Sequence, residues 1–293
     1  MKIFITGAGG LVGRALVEHC VANGDEVVAY DRASLDISDR TRVDELVSKA
    51  SPEAIINCAA WTDVDGCEGD VVRSDAANAL GPENLARASR NVDASLITIS
   101  TDYVFDGTKE GFYTQRDNPN PLSVYAKSKL DGERRSQIQH ARTIVVRTGF
   151  IFGVGGKNFL STVVERARRG ERLKAISDAW GTPTYANDLA FRLRELAVLD
   201  LPGVFHVVNS GEGTSFATFA QAALELAGSN ESTVEFVSFD SLSRPAPRPR
   251  NSRLRCLWSE LLGLKPLPSW QDGLERFVDR ISQKHTKERQ FGG

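Results

Sequence analysis

Apolar residues follow two rhythms along the first 150 positions. Short, near-continuous apolar runs at 2–6, 27–30, 54–57, 95–100 and 143–147 read as strands. Between them, apolar positions recur every three or four residues at about 11–22, 41–49, 76–89 and 124–137, which predicts helices. Strands that lack polar alternation are buried on both faces. The alternation therefore predicts an α/β chain with a doubly wound parallel sheet covered by helices on each side.

Past residue 150 the rhythm loosens. Helical patterns at about 159–169, 187–199 and 216–227 surround one apolar run at 204–208, and 241–249 is rich in Pro and Arg. The reading is a first domain over 1–150, with segments near 185–210 returning to it, and a smaller, less regular lobe over 151–293. No internal repeat is visible. The last residues, 283–293, are polar and end in Gly-Gly, and fraying is expected there.

Composition narrows the class. The chain has 293 residues, 41% hydrophobic and 25% charged, which suits a soluble protein with a full core. With 36 Lys and Arg against 38 Asp and Glu the net charge is −2, a poor match to nucleic-acid binding or to a membrane surface. No apolar run approaches the roughly 18 residues of a membrane span. The start, MKIFITGAGG, has no signal-peptide core, and Cys20, Cys58, Cys67 and Cys256 form no CxxC pair. A reducing cytoplasm without disulfides or a metal site is expected.

Glycine carries more information: five of 25 fall within the first 24 residues. Gly7, Gly10 and Gly13 form G-x-x-G-x-x-G directly after a predicted strand and at the start of a predicted helix. That context suits a dinucleotide pyrophosphate, with one glycine for the turn, one for close approach and one for helix–strand packing. It makes the first domain Rossmann-type. Leu11 and Val12 lie within the turn. Asp31, 18 residues past Gly13, ends the next strand, where an acid accepts from a ribose 2′-hydroxyl. Arg32 beside it suits a 2′-phosphate instead, so the NADH or NADPH choice stays open. Asp36 and Ile37 follow as adenine-side candidates, Asp36 equally well as a turn or cap residue.

Tyr125 and Lys129 are four residues apart on a predicted helix and so share a face. A phenol titrates near 10, and a neighbouring ammonium brings it toward neutral pH. Thr101 follows the fourth strand, at the strand end where open sheets bind ligands, and its hydroxyl suits a carbonyl oxygen.

These residues resemble the extended short-chain dehydrogenase/reductases, and most closely the dTDP-4-dehydrorhamnose reductase family. The matching stretches are Asn57-Cys-Ala-Ala-Trp-Thr-Asp-Val-Asp65, Ser100-Thr-Asp-Tyr-Val-Phe105, Arg147-Thr148, Gly156-x-Asn158-Phe159, Gly181-Thr-Pro-Thr184 and Arg250-Asn-Ser-Arg-Leu254. They reach across nearly the whole chain.

The resemblance implies NADPH- or NADH-dependent reduction of the C4 keto group of a nucleotide-linked 4-keto-6-deoxy sugar. It implies that Tyr125 is the general acid, that Lys129 lowers its pKa and holds the nicotinamide ribose, and that Thr101 binds the carbonyl oxygen. Ala59, Ala60 and Asn78 are implied at the cofactor, and Thr62, Val64, Asp102, Tyr103, Phe150 and Asn158 at the substrate. The acid-free run Arg244, Arg248, Arg250, Arg253, Arg255 suggests a loop over a diphosphate, with Arg250 as its candidate ligand. Phe150 stands where the family often has Trp, which leaves the sugar open, a dihydrostreptose-forming reduction included. Ala15 and Asn187 stand where some members carry magnesium-binding glutamates, so a monomer or weak dimer without bridging magnesium is expected. Tyr103 occupies the position of the dehydratases' acid and argues against dehydration. A non-catalytic NADP-binding role, like that of the regulatory subunit of methionine adenosyltransferase, is the remaining alternative.

Overall fold

The five apolar runs of the first half become parallel neighbours. A computed structural model describes residues 1–156, 158–228 and 234–291. In chain order the first part contains β1 (Lys2–Thr6), α1 (Leu11–Ala22), β2 (Glu26–Tyr30), α2 (Arg40–Ala50), β3 (Ala54–Asn57), α3 (Val64–Gly69), α4 (Val71–Asp75), α5 (Gly81–Asn91), β4 (Ser95–Thr101), α6 (Val124–Gln139) and β5 (Thr143–Thr148). The second part adds β6 (Ile151–Phe152), α7 (Phe159–Arg168), β7 (Leu173–Ile176), β8 (Trp180–Gly181), β9 (Thr184–Tyr185), α8 (Ala186–Leu199), β10 (Gly203–His206), β11 (Thr214–Ser215), α9 (Phe216–Leu226), β12 (Val234–Val237), α10 (Leu257–Leu261) and α11 (Trp270–Phe291).

Among the described residues the main sheet has six parallel strands in the order β10-β5-β4-β3-β1-β2. β3 and β5 are buried at every position, whereas the edge strand β2 is partly exposed, as burial on both faces requires of central strands. One face packs on α1 and α8 through Ile3, Ile5, Leu16, Leu189 and Leu193. The other packs on α2 and α5 through Phe4, Val43, Val47, Ile55 and Leu85. The strand order reverses at β1, so a crevice opens between the C-terminal ends of β1 and β3. Thr6 donates to Asn57 at 2.7 Å and Asn57 to Thr98 at 3.1 Å, which locks β1, β3 and β4 in register beneath it.

α8 and β10 join the main sheet. α7, α9 and α11 build a separate core around Phe152, Phe219 and Phe277, beside the short pairs β7/β12, β8/β11 and β6/β9.

Two local expectations change. The helix read at 76–89 is broken: α4 passes through a π-helical turn, Ala76–Leu80, before α5 begins. Pro82 has no N–H to give a carbonyl of the preceding turn, so regular α pairing cannot pass through it. The polar tail is helical to Phe291 instead of fraying from 283, because Lys, Glu, Arg and Gln are good helix formers and no Pro interrupts them. Gly292 and Gly293 lie outside the described residues.

Candidate active site

The glycine turn is shaped by space. Gly7 has φ +68°, and a Cβ there would lie 2.6 Å from the amide of Ala59. At Gly13 a Cβ would lie 2.2 Å from the carbonyl oxygen of Gly7. Gly10 caps α1 without a side-chain bond, and its own amide donates to Gly7. The first amides of α1 therefore face the crevice, with the positive end of the helix dipole behind them. A cavity of about 440 Å³ extends from Gly7 and Gly10 past Asp31, Arg32, Asp36 and Ile37 to Ala59 and Ala60. Its donor set and its side-chain-free wall fit a dinucleotide.

Asp31 closes a turn with Ser34, accepting from its hydroxyl at 2.7 Å and its amide at 3.0 Å, and these bonds hold the carboxyl below its usual range. Arg32 lies 3.9 Å from Asp36, both largely exposed. Asn78 is placed differently. It is buried on the π-helical turn and binds both main-chain groups of Trp61, accepting at 2.8 Å and donating at 3.0 Å. In this structure it shapes the loop that carries Ala59 and Ala60 and lies outside the cavity lining.

The second cavity, about 460 Å³, shares Gly10, Cys58, Ala59 and Ala60 with the first. Leu11, Val12, Gly13, Thr62, Val64, Thr101, Asp102, Tyr103, Tyr125, Lys129, Phe150 and Asn158 all line it. Parallel strand ends gather them: Thr101 ends β4, Phe150 follows β5, and Tyr125 opens α6, whose first turn Ser123 caps. Asn158 also caps α7, through a capping box with Ser161.

Tyr125 is 8% exposed and its phenol hydrogen-bonds Thr101. Burial drives its pKa up, with the Asp102, Tyr103 and Cys67 groups adding to the rise. Lys129, 4% exposed, donates to the carbonyl of Ile99 at 2.7 Å, and burial brings its pKa down to about 8. The expected lowering of the phenol by Lys129 is therefore not what this structure displays. Burial dominates, and the phenol stays protonated, the form a general acid needs.

Asp102 is 3% exposed and burial pushes its carboxyl up to about 6, against bonds from Ser252 and Thr101. It fills the space above Gly149, where a Cβ would lie 2.3 Å from the carboxyl carbon. Phe150 has φ +48°, a left-handed conformation unusual for a bulky residue, and its ring meets Phe216 at 3.9 Å.

The arginine run divides in a way its spacing does not reveal. Arg250 pairs with Asp178 at 3.1 Å and with Asp240, lies over Phe239, and lines neither cavity. Arg248 lines neither cavity either, but it meets Tyr103, which lines the second. It holds Asp65 through two bonds, 3.0 and 2.8 Å, and hydrogen-bonds Tyr103. Only the folded loop shows which acid each guanidinium meets: Asp65 for Arg248, Asp178 and Asp240 for Arg250. Among the described residues no group of three or more His, Cys, Asp or Glu is placed to hold a metal ion, and no helix is long and apolar enough to cross a membrane.

A family model described as the RmlD substrate binding domain matches residues 1–283. The dTDP-4-dehydrorhamnose reductase of Mycolicibacterium smegmatis is 37% identical over 283 residues, 96% of this chain and 86% of that protein. A crystal structure of a dTDP-4-dehydrorhamnose reductase from Clostridium acetobutylicum superposes with TM-score 0.93 at 35% identity, covering 96% of this chain and all of the other. The Bacillus anthracis dTDP-4-dehydrorhamnose reductase, solved in complex with NADP, gives TM-score 0.92 at 34% identity, covering 95% and 99% of the two chains. A Rossmann-type sheet, a matching model along nearly the full length and relatives of this similarity lead to one assignment: the chain belongs to the dTDP-4-dehydrorhamnose reductase family.

Proposed function

We propose that the protein is an NADPH-dependent reductase of the C4 keto group of a dTDP-linked 4-keto-6-deoxy sugar, as in dTDP-rhamnose biosynthesis. The observation that carries this is the convergence of Thr101, Tyr125 and Lys129 on one cavity that continues into the glycine cradle. NADH is the second candidate reductant, because Asp31 and Arg32 both border the adenosine end.

When bound, the nicotinamide supplies the hydride. Every other task falls to the chain. Gly7, Gly10, Leu11, Val12 and Gly13 offer amides and space to the pyrophosphate. Thr101 donates to the carbonyl oxygen and so stabilises charge as it develops there. Tyr125 delivers its phenolic proton to that oxygen. Lys129 neutralises the phenolate left behind and takes the nicotinamide ribose hydroxyls. Asp102, Tyr103, Thr62, Val64 and Asn158 shape the sugar pocket, with Phe150 as an apolar wall. Arg248 takes the substrate diphosphate by exchanging Asp65 for it, the role first expected of Arg250.

The protein acts in the cytoplasm as a monomer or a weak dimer without bridging magnesium, supported by Ala15 and Asn187 at the positions where some relatives carry glutamates. Light scattering unchanged by EDTA is the expected result, and an EDTA-sensitive dimer contradicts it. The activity is tested by incubating the protein with NADPH and the dTDP-linked 4-keto sugar. The reading predicts a product heavier by two hydrogens with matching loss of NADPH. No turnover of any nucleotide-linked 4-keto sugar refutes it.

A further inference from the structure

Helix α6 is docked on β4 through three consecutive strand residues. The phenol of Tyr125 meets Thr101, the ammonium of Lys129 donates to the carbonyl of Ile99 at 2.7 Å, and the hydroxyl of Ser100 donates to Glu133. Tyr125, Lys129 and Glu133 are spaced four apart, so all three occupy one face of the helix. Glu133 is 3% exposed. Arg147 on β5 clamps it, with Nε 3.0 Å from Oε1 and Nη2 2.7 Å from Oε2. Arg147 is itself 6% exposed and lies 5.3 Å from the ring of Phe105.

A buried ion pair is a poor way to gain stability, since apolar side chains of similar volume often do as well or better. What an apolar pair cannot provide is a fixed negative charge one helical turn from Lys129. We propose that Glu133, clamped by Arg147 and Ser100, is a positioning residue that keeps the Lys129 ammonium charged and aligned with Tyr125. The inference rests on the reading of Tyr125 and Lys129 as the acid and its cation.

The charges around Lys129 set the expected direction. Burial opposes its charge, while Glu133 on the same helix and Cys58 beyond β3 favour it. Tyr125 on α6 and Asp102 beyond β4 also face the site, and Arg147 on β5 faces Glu133. Lys129 is cationic below about 8 and loses its proton as pH rises through that value. Binding and catalysis that need the cation are therefore level below about 8 and fall above it. An opposite charge within ~4–6 Å shifts a pKa by roughly one to three units. Removing the Glu133 charge moves the fall toward neutral pH by about one unit or more.

The test compares the wild type with Glu133→Gln and with the double variant Glu133→Gln/Arg147→Met, which removes the guanidinium that the single variant strands. Two profiles are measured across pH: the Kd for NADPH by fluorescence, and kcat/KM with the dTDP-linked 4-keto sugar. The proposal expects the alkaline fall of both profiles to move down by about one unit in each folded variant, with kcat affected more than the KM for the sugar. A folded variant whose fall stays at the wild-type pH overturns it, and so does loss of the folded state in both variants, which leaves the pair a purely structural role. If the wild type turns over no sugar, the functional reading fails, while the NADPH-binding profile still decides the part played by Glu133.

Discussion

The proposed chemistry rests on single residues. The glycines of the first turn were legible because their motif sat between a strand pattern and a helix pattern, and the structure supplies the physical reason. At Gly13 an added methyl would press on the Gly7 carbonyl at 2.2 Å and on Ala8 Cα at 2.8 Å. These are backbone atoms of the turn itself, so relief must come from moving the amides that face the crevice. Overpacking of this kind costs about 1–3 kcal/mol, and a tenfold loss of affinity corresponds to ~1.4 kcal/mol. Gly13→Ala is therefore expected to weaken NADPH binding by about 5- to 150-fold while the protein stays folded, as read by fluorescence titration. Unchanged affinity would show that the turn does not hold the pyrophosphate. Thr101, Tyr125 and Lys129 were legible for a similar reason: a strand end and a four-residue helical spacing are local features. The placement of Arg248 was not, because it depends on Asp65, 183 residues away. Nor was the left-handed backbone of Phe150, since nothing in a lone Phe signals a positive φ.

At the level of elements, the alternation of runs predicted the sheet well because each central strand is buried on both faces. Boundaries failed where packing overrode local preference. The π-helical turn Ala76–Leu80 is one such place, and it also brings the carbonyl of Asn78 against α6. A Cβ on Gly132 would lie 2.1 Å from that oxygen. Two effects compete in Gly132→Ala. Alanine in a helix interior gains up to about 1 kcal/mol over glycine, whereas overpacking costs about 1–3 kcal/mol. A contact of 2.1 Å with backbone belongs at the upper end of that cost, so the clash wins. Thermal unfolding is expected to show a lower Tm for the variant, and a raised Tm would mean that α6 and the π-helical turn separate at little cost. The same contact ties the loop of Ala59 and Ala60 to the helix of Tyr125 and Lys129, through Asn78. Disturbing it is a disturbance of both halves of the site.

Over the whole molecule, two layers of function share one edge of a parallel sheet. The chain leaves the first 150 residues and then returns to complete that sheet with α8 and β10, while α7, α9 and α11 close over the strand ends as a separate core. This return was readable only as a regained strand-and-helix rhythm. The partner of each later segment depends on contacts between residues far apart in sequence, such as Arg276 of α11 with Asp188 of α8, at 2.8 Å. The glycine cradle and the Thr101–Tyr125–Lys129 group line two cavities that share Gly10, Cys58, Ala59 and Ala60, and Arg248 of the C-terminal loop approaches through Tyr103. In the proposed reaction Tyr125 delivers the proton that completes reduction of a C4 keto group. This step is tested most directly by the steady-state rate of NADPH oxidation with the dTDP-linked 4-keto-6-deoxy sugar, in the wild type and in Tyr125→Phe. A fall in kcat of about 10²–10⁴-fold is predicted for the variant, with NADPH affinity retained. Equal rates in the two proteins would contradict the account.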